Sequence, residues 1–120
     1  PVLIHPKTYI SKDFTPNPGL IIFSAVRLSY NVKVGKLVWI DSNCNIGHNV
    51  KVGDNTSIMP MSLVLGGVGK NCVIGAGSLI HQKVNIGNNS FVGIGTTVIK
   101  DIPNNSKVIN FPRNTISDNK

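Results

Sequence analysis

The sequence predicts an all-β chain folded as a parallel β-helix, and three observations lead to this prediction. An aliphatic residue recurs at every sixth position, a small or β-branched residue stands two positions before it, and glycine or asparagine marks the turns between. A period of six is neither the 3.6 of an α-helix nor the alternation of a plain strand. It is typical of short strands joined by tight corners, with three hexads in each coil and each coil stacked on the next.

The aliphatic series begins at Ile4 and keeps its six-residue step as far as Val64, where the phase slips by two residues. It resumes at Val68 and runs to Val98. Sixteen of its seventeen positions are Ile, Val or Leu, and the exception is Pro16. Seventeen hexads make between five and six coils, or about 27 Å of stack at ~4.8 Å per coil.

The positions two residues before the aliphatic ones predict a narrow interior. In chain order they are Val26, Val32, Val38, Cys44, Val50, Thr56, Ser62, Cys72, Ser78, Val84, Ser90 and Thr96. The two cysteines belong to this series and show neither a Cys-x-x-Cys nor a zinc spacing, so they are predicted to be buried thiols. Glycine and asparagine tolerate a positive φ, so each hexad is expected to carry its own corner.

The chain is expected to form one domain over residues 1–120, with a repeat core at about 20–102. Residues 11–20 fit the repeat poorly and are predicted to form a loose first coil or a loop. Because the chain opens at Pro1 without an initiator Met, either that Met is removed or the chain is a fragment of a longer polypeptide.

The C-terminal end departs from the repeat. Pro103 and Pro112 are expected to end the strand ladder, because proline has no backbone N–H to donate. Residues 103–120 are therefore predicted to be a tail that caps the coil.

The net charge of +7 comes from ten lysines and two arginines set against five aspartates. The lysines are spread singly, with no basic run and no basic–aromatic interleaving, so nucleic acid is not predicted as a partner. A solvated basic surface that attracts an anionic cofactor or a sugar nucleotide is favoured instead. No apolar run approaches ~18 residues and no signal peptide is recognised, so the prediction is a cytoplasmic protein that does not insert into a membrane.

His48 is the best candidate for chemistry. It lies two positions after Ile46, at a corner, so its side chain should point outward. With 18 residues per coil, Tyr30 is expected directly below it and Gly66 directly above it. A turn without side chains above a histidine leaves room for a ligand, although Gly66 and Gly67 equally suit a simple correction of register.

The other histidines do not suggest a metal site. His81 follows Ile80, which the hexad count places on the same face as Ile46 but two coils along. This puts His81 about 10 Å from His48 by the rise of the coils, and His5 belongs to the first coil. No metal is therefore predicted.

Six blocks, in this order, resemble the hexapeptide-repeat acyltransferase superfamily, and within it the bacterial sugar acetyltransferases typified by sialic acid O-acetyltransferase and the UDP-4-amino-sugar N-acetyltransferase. They are Ile4-His-Pro6, the block from Ile46 to Asp54, Met59-Pro60, Leu65-Gly66-Gly67, the block from Ile74 to Gly77, and the block from Val98 to Pro103. The resemblance implies a left-handed β-helix, a homotrimer and acetyl-CoA bound in the groove between adjacent subunits. Those relatives carry an N-terminal sugar-nucleotide domain ahead of the first block, which supports the fragment interpretation.

The resemblance also implies roles for individual residues. His48 would be the general base that takes a proton from the acceptor as it attacks the thioester. Asn49 stands where the family usually has Asp or Glu, and it would orient the ring without supplying a negative charge. The positions carried over for acetyl-CoA are Ser57, Gly66, Ala76 and Ile94.

The predicted function is acetyl transfer from acetyl-CoA to an amine or hydroxyl of a bacterial surface sugar, often nucleotide-linked, in polysaccharide biosynthesis. One alternative is the N-acyltransferase of lipid A synthesis, whose family block matches His48-Asn49-Val50. The other is a catalytically silent trimerisation scaffold, which the lack of a sugar-binding domain and the presence of Asn49 favour.

Overall fold

The computed structural model describes residues 1–110 and 114–119 and shows a left-handed parallel β-helix of about six coils. Each of its strands is two residues long. The strands are β1 (Leu3–Ile4), β2 (Tyr9–Ile10), β3 (Ile21–Ile22), β4 (Arg27–Leu28), β5 (Lys33–Val34), β6 (Trp39–Ile40), β7 (Asn45–Ile46), β8 (Lys51–Val52), β9 (Ser57–Ile58), β10 (Leu63–Val64), β11 (Gly67–Val68), β12 (Val73–Ile74), β13 (Leu79–Ile80), β14 (Asn85–Ile86), β15 (Phe91–Val92), β16 (Thr97–Val98) and β17 (Lys107–Val108).

The strands stack into three parallel sheets that form the sides of the coil. Sheet A has the order β1-β3-β6-β9-β12-β15-β17, sheet B has β2-β4-β7-β10-β13-β16, and sheet C has β5-β8-β11-β14. From β3 to β16 the second residue of every strand is buried in the interior, and its register partner lies one coil away, as Ile22 does from Ile40. The predicted all-β fold class and the six-residue period are confirmed.

The interior is as narrow as the small positions predicted, because all twelve of them are buried. Of the five hydroxyl residues in this series, four donate to backbone carbonyls of the next coil, as the Ser78 hydroxyl does to the Gly93 carbonyl at 2.9 Å. The buried Thr96 hydroxyl has no hydrogen-bond partner among the described residues. Cys44 and Cys72 are both free and buried, as predicted, and burial raises the pKa of the Cys44 thiol.

The corners explain why asparagine is abundant. Seven asparagines adopt a left-handed conformation at a corner: Asn31, Asn43, Asn49, Asn55, Asn71, Asn89 and Asn105. Four of them, from Asn55 to Asn105, lie one above another on the edge between sheets C and A. Their side-chain amides donate from one coil to the next over 2.9, 3.1 and 3.2 Å. We call these four residues the asparagine ladder.

Both ends of the coil differ in detail from the sequence prediction. The first coil already has two strands, and only residues 11–20 form the predicted loop. The strand ladder does not end at Pro103, because β17 pairs with β15 beyond it. Pro103 is tolerated because no described coil lies above to accept an N–H at that position. Pro112 lies outside the described residues.

Candidate active site at a shortened corner

The corner after β10 is two residues shorter than the corners directly below and above it. Val64 and Val68 are four positions apart, whereas their register partners in the coil below, Ile46 and Val52, are six apart. This is the phase slip that the sequence shows. It lies on the edge between sheets B and C, which we call the B–C edge.

The short corner leaves a groove on the B–C edge. A corner with fewer residues extends less far outward, so the longer corners of the neighbouring coils overhang it. The resulting cavity has a volume of about 390 Å³ and is lined by residues 47–51, 65–67 and 82–85. We call it the His48 groove.

Gly66 is required by the tightness of the short corner. A Cβ atom at this position would collide with the carbonyl oxygens of Val84 and His81, which belong to the corner above. The two interpretations of the glycines that the sequence left open therefore describe one feature. The correction of register needs Gly66, and the same correction opens the groove.

The His48 side chain is held by an aromatic partner. Its ring stacks on Tyr30, with 4.9 Å between the ring centroids and 3° between the planes. The prediction that Tyr30 lies directly below His48 is therefore confirmed. Because stacked rings resist tilting, this contact fixes the plane of the imidazole beside the groove.

A chain of hydrogen bonds runs down the B–C edge from His48. Asn49 Nδ2 lies 3.1 Å from His48 Nδ1, and Asn31 Nδ2 lies 2.7 Å from Asn49 Oδ1. At the foot of the chain, the Asn31 backbone N–H donates to Asp13 Oδ2 over 2.7 Å. Hydrogen bonds from the Ser11 side chain and the Asn31 backbone lower the pKa of Asp13.

The side chains that line the His48 groove carry positive charge only, while Asp101 accepts a hydrogen bond from the backbone N–H of the lining residue Asn85. Lys51 and Lys83 lie among its lining residues, and none of the described residues that line it is acidic. Lys83 has a left-handed backbone conformation with φ 67°. It is the third residue of its corner, the position that Asn49 has in the corner on the other side of the groove. Sequence reasoning missed both lysines and Asn31, although the 18-residue coil would have placed Asn31 directly below Asn49.

The structure brings some of the predicted site residues together and leaves others apart. His48, Asn49 and Gly66 line one groove. Ser57 lies on the outer side of sheet A, and Ala76 and Ile94 lie at corners between sheets A and B, so none of these three lines the His48 groove. The cofactor roles of all four carried positions stay predictions.

The remaining histidines stand apart from His48. His81 follows β13, which is two strands from β7 in sheet B, as the hexad count predicted. Its Nδ1 lies 3.1 Å from the Gln82 carbonyl oxygen. Within residues 1–110 and 114–119, no group of three or more His, Cys, Asp or Glu residues is placed to hold a metal ion. The same ranges contain no helix with the length and apolarity to cross a membrane.

The chain is similar to known proteins in sequence and in fold. Residues 31–66 match the family model described as bacterial transferase hexapeptide (six repeats). Serine acetyltransferase of Bacillus pumilus is 26% identical over 110 residues, which cover 81% of this chain and 50% of that protein. The chain spans about half the length of the curated relatives it matches.

The solved structures that share the fold include the following two. WeeI from Acinetobacter baumannii superposes with a TM-score of 0.80 at 20% identity, over 91% of this chain and 55% of that one. A variant of perosamine N-acetyltransferase from Caulobacter crescentus, solved with CoA and GDP-perosamine, superposes with a TM-score of 0.63 at 20% identity. That match covers 98% of this chain and 58% of the Caulobacter chain.

Proposed function

We propose that this chain, which belongs to the hexapeptide-repeat superfamily of bacterial transferases, is the catalytic part of an acetyltransferase that uses acetyl-CoA and has His48 as its general base. The observation that carries this proposal is the position of His48, whose ring stands in a fixed plane at the wall of a groove made by a shortened corner. The choice of donor rests on the relatives, which include acetyltransferases and one structure solved with CoA. Use of that thioester would place the reaction in the cytoplasm.

The proposed chemistry is direct transfer. His48 Nε2 takes a proton from the acceptor amine or hydroxyl as that nitrogen or oxygen attacks the thioester carbonyl of acetyl-CoA. The tetrahedral intermediate then collapses, the carbon–sulfur bond breaks, and the imidazolium returns its proton to the leaving thiolate. The products are the acetylated acceptor and CoA, and no covalent enzyme intermediate is needed.

We infer that the acceptor is a sugar linked to a nucleotide. Lys51 and Lys83 supply positive charge to a groove whose described lining has no carboxylate, and such a groove favours a diphosphate. The perosamine enzyme, which shares the fold, was solved with such a sugar nucleotide. Serine is the second candidate acceptor, because serine acetyltransferases at 26% and 29% identity are among the curated relatives.

We further propose a homotrimer. The outer side of sheet A is apolar and partly exposed at Leu3, Trp39, Val73 and Phe91, as a surface that packs against a second copy would be. In such an assembly Ala76 and Ile94 of one subunit would reach the cofactor beside His48 of the next. The molar mass in solution, measured by light scattering during size-exclusion chromatography, tests this assembly.

The test of the proposed function is release of free CoA thiol from acetyl-CoA, with GDP-perosamine, a UDP-4-amino-sugar or serine as the acceptor. We expect turnover with a sugar nucleotide, and we expect His48→Ala to lower kcat by about 10²- to 10⁴-fold, the usual contribution of a general base. His81→Ala is the matched control, because His81 is an exposed histidine on the same edge and should keep its full rate.

Four results would count against parts of this proposal. Full activity of His48→Ala would show that His48 is not the general base. Turnover with serine alone would exclude a sugar nucleotide as the acceptor. If the unaltered chain neither binds acetyl-CoA nor turns over, the scaffold alternative is correct. Turnover with acyl carrier protein as donor, but not with acetyl-CoA, would identify the lipid A type of N-acyltransferase.

A further inference from the structure

The hydrogen-bond chain below His48 can run in two directions. It joins His48 Nδ1 to the Asn49 amide and the Asn49 amide to the Asn31 amide. A carboxamide that rotates by about 180° exchanges its donor NH₂ with its acceptor oxygen, so the direction of each hydrogen bond can be reversed. The links cannot be reversed singly, because two NH₂ groups or two oxygens would then face each other.

In the first direction, Asn31 donates to Asn49, and Asn49 Nδ2 donates to His48 Nδ1. A neutral imidazole that accepts at Nδ1 carries its proton on Nε2. His48 then presents an N–H donor at Nε2 and has no lone pair there with which to take a proton from an acceptor.

In the second direction, both amides are turned by half. His48 Nδ1–H donates to Asn49 Oδ1, and Asn49 Nδ2 donates to Asn31 Oδ1. Nε2 then carries the lone pair that a general base needs. The imidazolium, which has an N–H on both nitrogens, is compatible with this direction and not with the first.

We propose that Asn31 is a positioning residue that sets the direction of this chain, and thereby the tautomer and the basicity of His48. The inference rests on the proposed role of His48 as the base. Asn31 stands one coil from the base and acts on it only through Asn49, so it is not itself a catalytic residue.

Three features of Asn31 support this role. Asn31, with φ 55°, and Asn49, with φ 63°, both have the left-handed backbone conformation at equivalent corner positions, and Asn31 lies one 18-residue coil below Asn49. Its backbone N–H is anchored to the Asp13 carboxylate. Among the hydrogen bonds of the described residues, its side chain makes only the contact with Asn49, so nothing else found there opposes a reversal.

None of the charged or titratable groups named around His48 hydrogen-bonds to its Nδ1, so the amides of Asn49 and Asn31 are the groups that set its tautomer. Tyr30 covers one face of the ring, and Lys51 and Lys83 line the groove. Asp13 is the carboxylate that belongs to the chain, and it binds the backbone of Asn31 rather than an amide side chain. A carboxylate placed at Asn31 would therefore act on His48 in a way that no group already there does.

The experiment is Asn31→Asp, which keeps the size of the side chain but allows it only to accept when ionised. Asn49 must then donate to it, and His48 Nδ1 must donate to Asn49. We expect the ¹⁵N shifts of the His48 ring, read by long-range ¹H–¹⁵N NMR at a pH where the ring is neutral, to move toward the form protonated at Nδ1. We also expect the acidic limb of the pH profile of kcat/KM to move to higher pH, because the added charge favours the imidazolium.

Asn71→Asp is the matched control. Asn71 has the same φ of 55° and the same amide contacts between coils, but it belongs to the asparagine ladder on the edge between sheets C and A. The Asn71→Asp substitution makes the same change in net charge as Asn31→Asp, and it should leave the ¹⁵N shifts of His48 and the pH profile of kcat/KM unchanged. Asn49→Asp is the second test variant, because it places an acceptor directly beside Nδ1 and should give the same tautomer.

The proposal is overturned if folded Asn31→Asp leaves the tautomer of His48 unchanged while Asn49→Asp shifts it. It is also overturned if Asn71→Asp moves the shifts as much as Asn31→Asp does. If the tautomer responds as expected but no variant transfers acetyl, the positioning role stands and the proposed function fails. The NMR measurement needs no turnover, so the two failures can be told apart.

Discussion

Two edges of this β-helix carry stacked asparagines, and they differ in whether the stack is interrupted. On the edge between sheets C and A, the asparagine ladder is continuous from Asn55 to Asn105. On the B–C edge the stack stops after Asn31 and Asn49, because the next corner lacks two residues. The continuous stack ties coil to coil, whereas the interrupted one leaves a groove with a histidine at its wall. Stacked corner asparagines thus stabilise the coil where the stack is continuous, and they border a candidate site where the stack is interrupted.

The largest effect is expected from a side chain placed in the short corner. Gly66→Ala should lower the free energy of unfolding by about 3 kcal/mol, because its Cβ would collide with backbone oxygens that cannot move away cheaply. Urea denaturation followed by circular dichroism measures this change. Gly77→Ala is the control: it has φ 69° and open space around its Cβ, so only the left-handed strain of about 1 kcal/mol is expected. Equal losses for the two variants would show that the short corner is not tightly packed.

A smaller effect should distinguish the two asparagine stacks. Asn71→Ala removes two amide hydrogen bonds and places a residue with no local polar contact at φ 55°, so we expect a loss of about 2 kcal/mol. Asn49→Ala should cost a similar amount of stability, but it should also lower kcat by at least about 10-fold because His48 loses its partner. Parallel thermal denaturation and acetyl-transfer assays test this. A loss of activity in folded Asn71→Ala at low temperature would contradict the separation of the two edges.

The smallest effect is expected at the foot of the interrupted stack. The pKa of Asp13 is lowered by hydrogen bonds from the Ser11 side chain and the Asn31 backbone. The folded state therefore binds its proton less readily than the unfolded state, so this carboxylate adds stability above its ordinary pKa of 3.8 and loses that contribution as the pH falls below it. Asp13→Asn should accordingly flatten the acid dependence of Tm below about pH 4. Asp118→Asn, in the exposed segment 114–119, should leave the slope as it is.

Much of the fold could be predicted from the periodic residues alone. The step of six and the small positions beside it named almost every buried side chain, because a coil of three short strands repeats one packing arrangement. The end of the ladder was harder to predict. Pro103 would break an internal strand pairing, but it lies at the last coil, where its missing N–H has no described partner to lose.

The candidate site was only partly predictable. His48 and the phase slip are visible in the sequence, and together they indicate where a groove could form. The hexad count that places Ile80 two coils above Ile46 also places Lys83 two coils above Asn49. That the short corner between them leaves a groove lined by Lys51 and Lys83 depends on how far each corner extends outward, which the sequence does not show. Ser57, Ala76 and Ile94 came from a resemblance, and in one chain they lie away from the His48 groove.

The sequence by itself therefore determined the architecture, since a strict period leaves one way to bury all the aliphatic residues together. It also indicated many of the left-handed corner positions, since ten of the fourteen described residues with a positive φ are asparagine or glycine. The other four, Ala25, Leu37, Met61 and Lys83, have no such signal in the sequence. The 18-residue coil also placed Tyr30 and Asn31 directly below His48 and Asn49. Only the tertiary structure decided that the two rings stack, that the amides join into a chain, and that the corner shortened by two residues leaves open space beside His48, because these depend on side-chain conformation and on how far each corner extends outward.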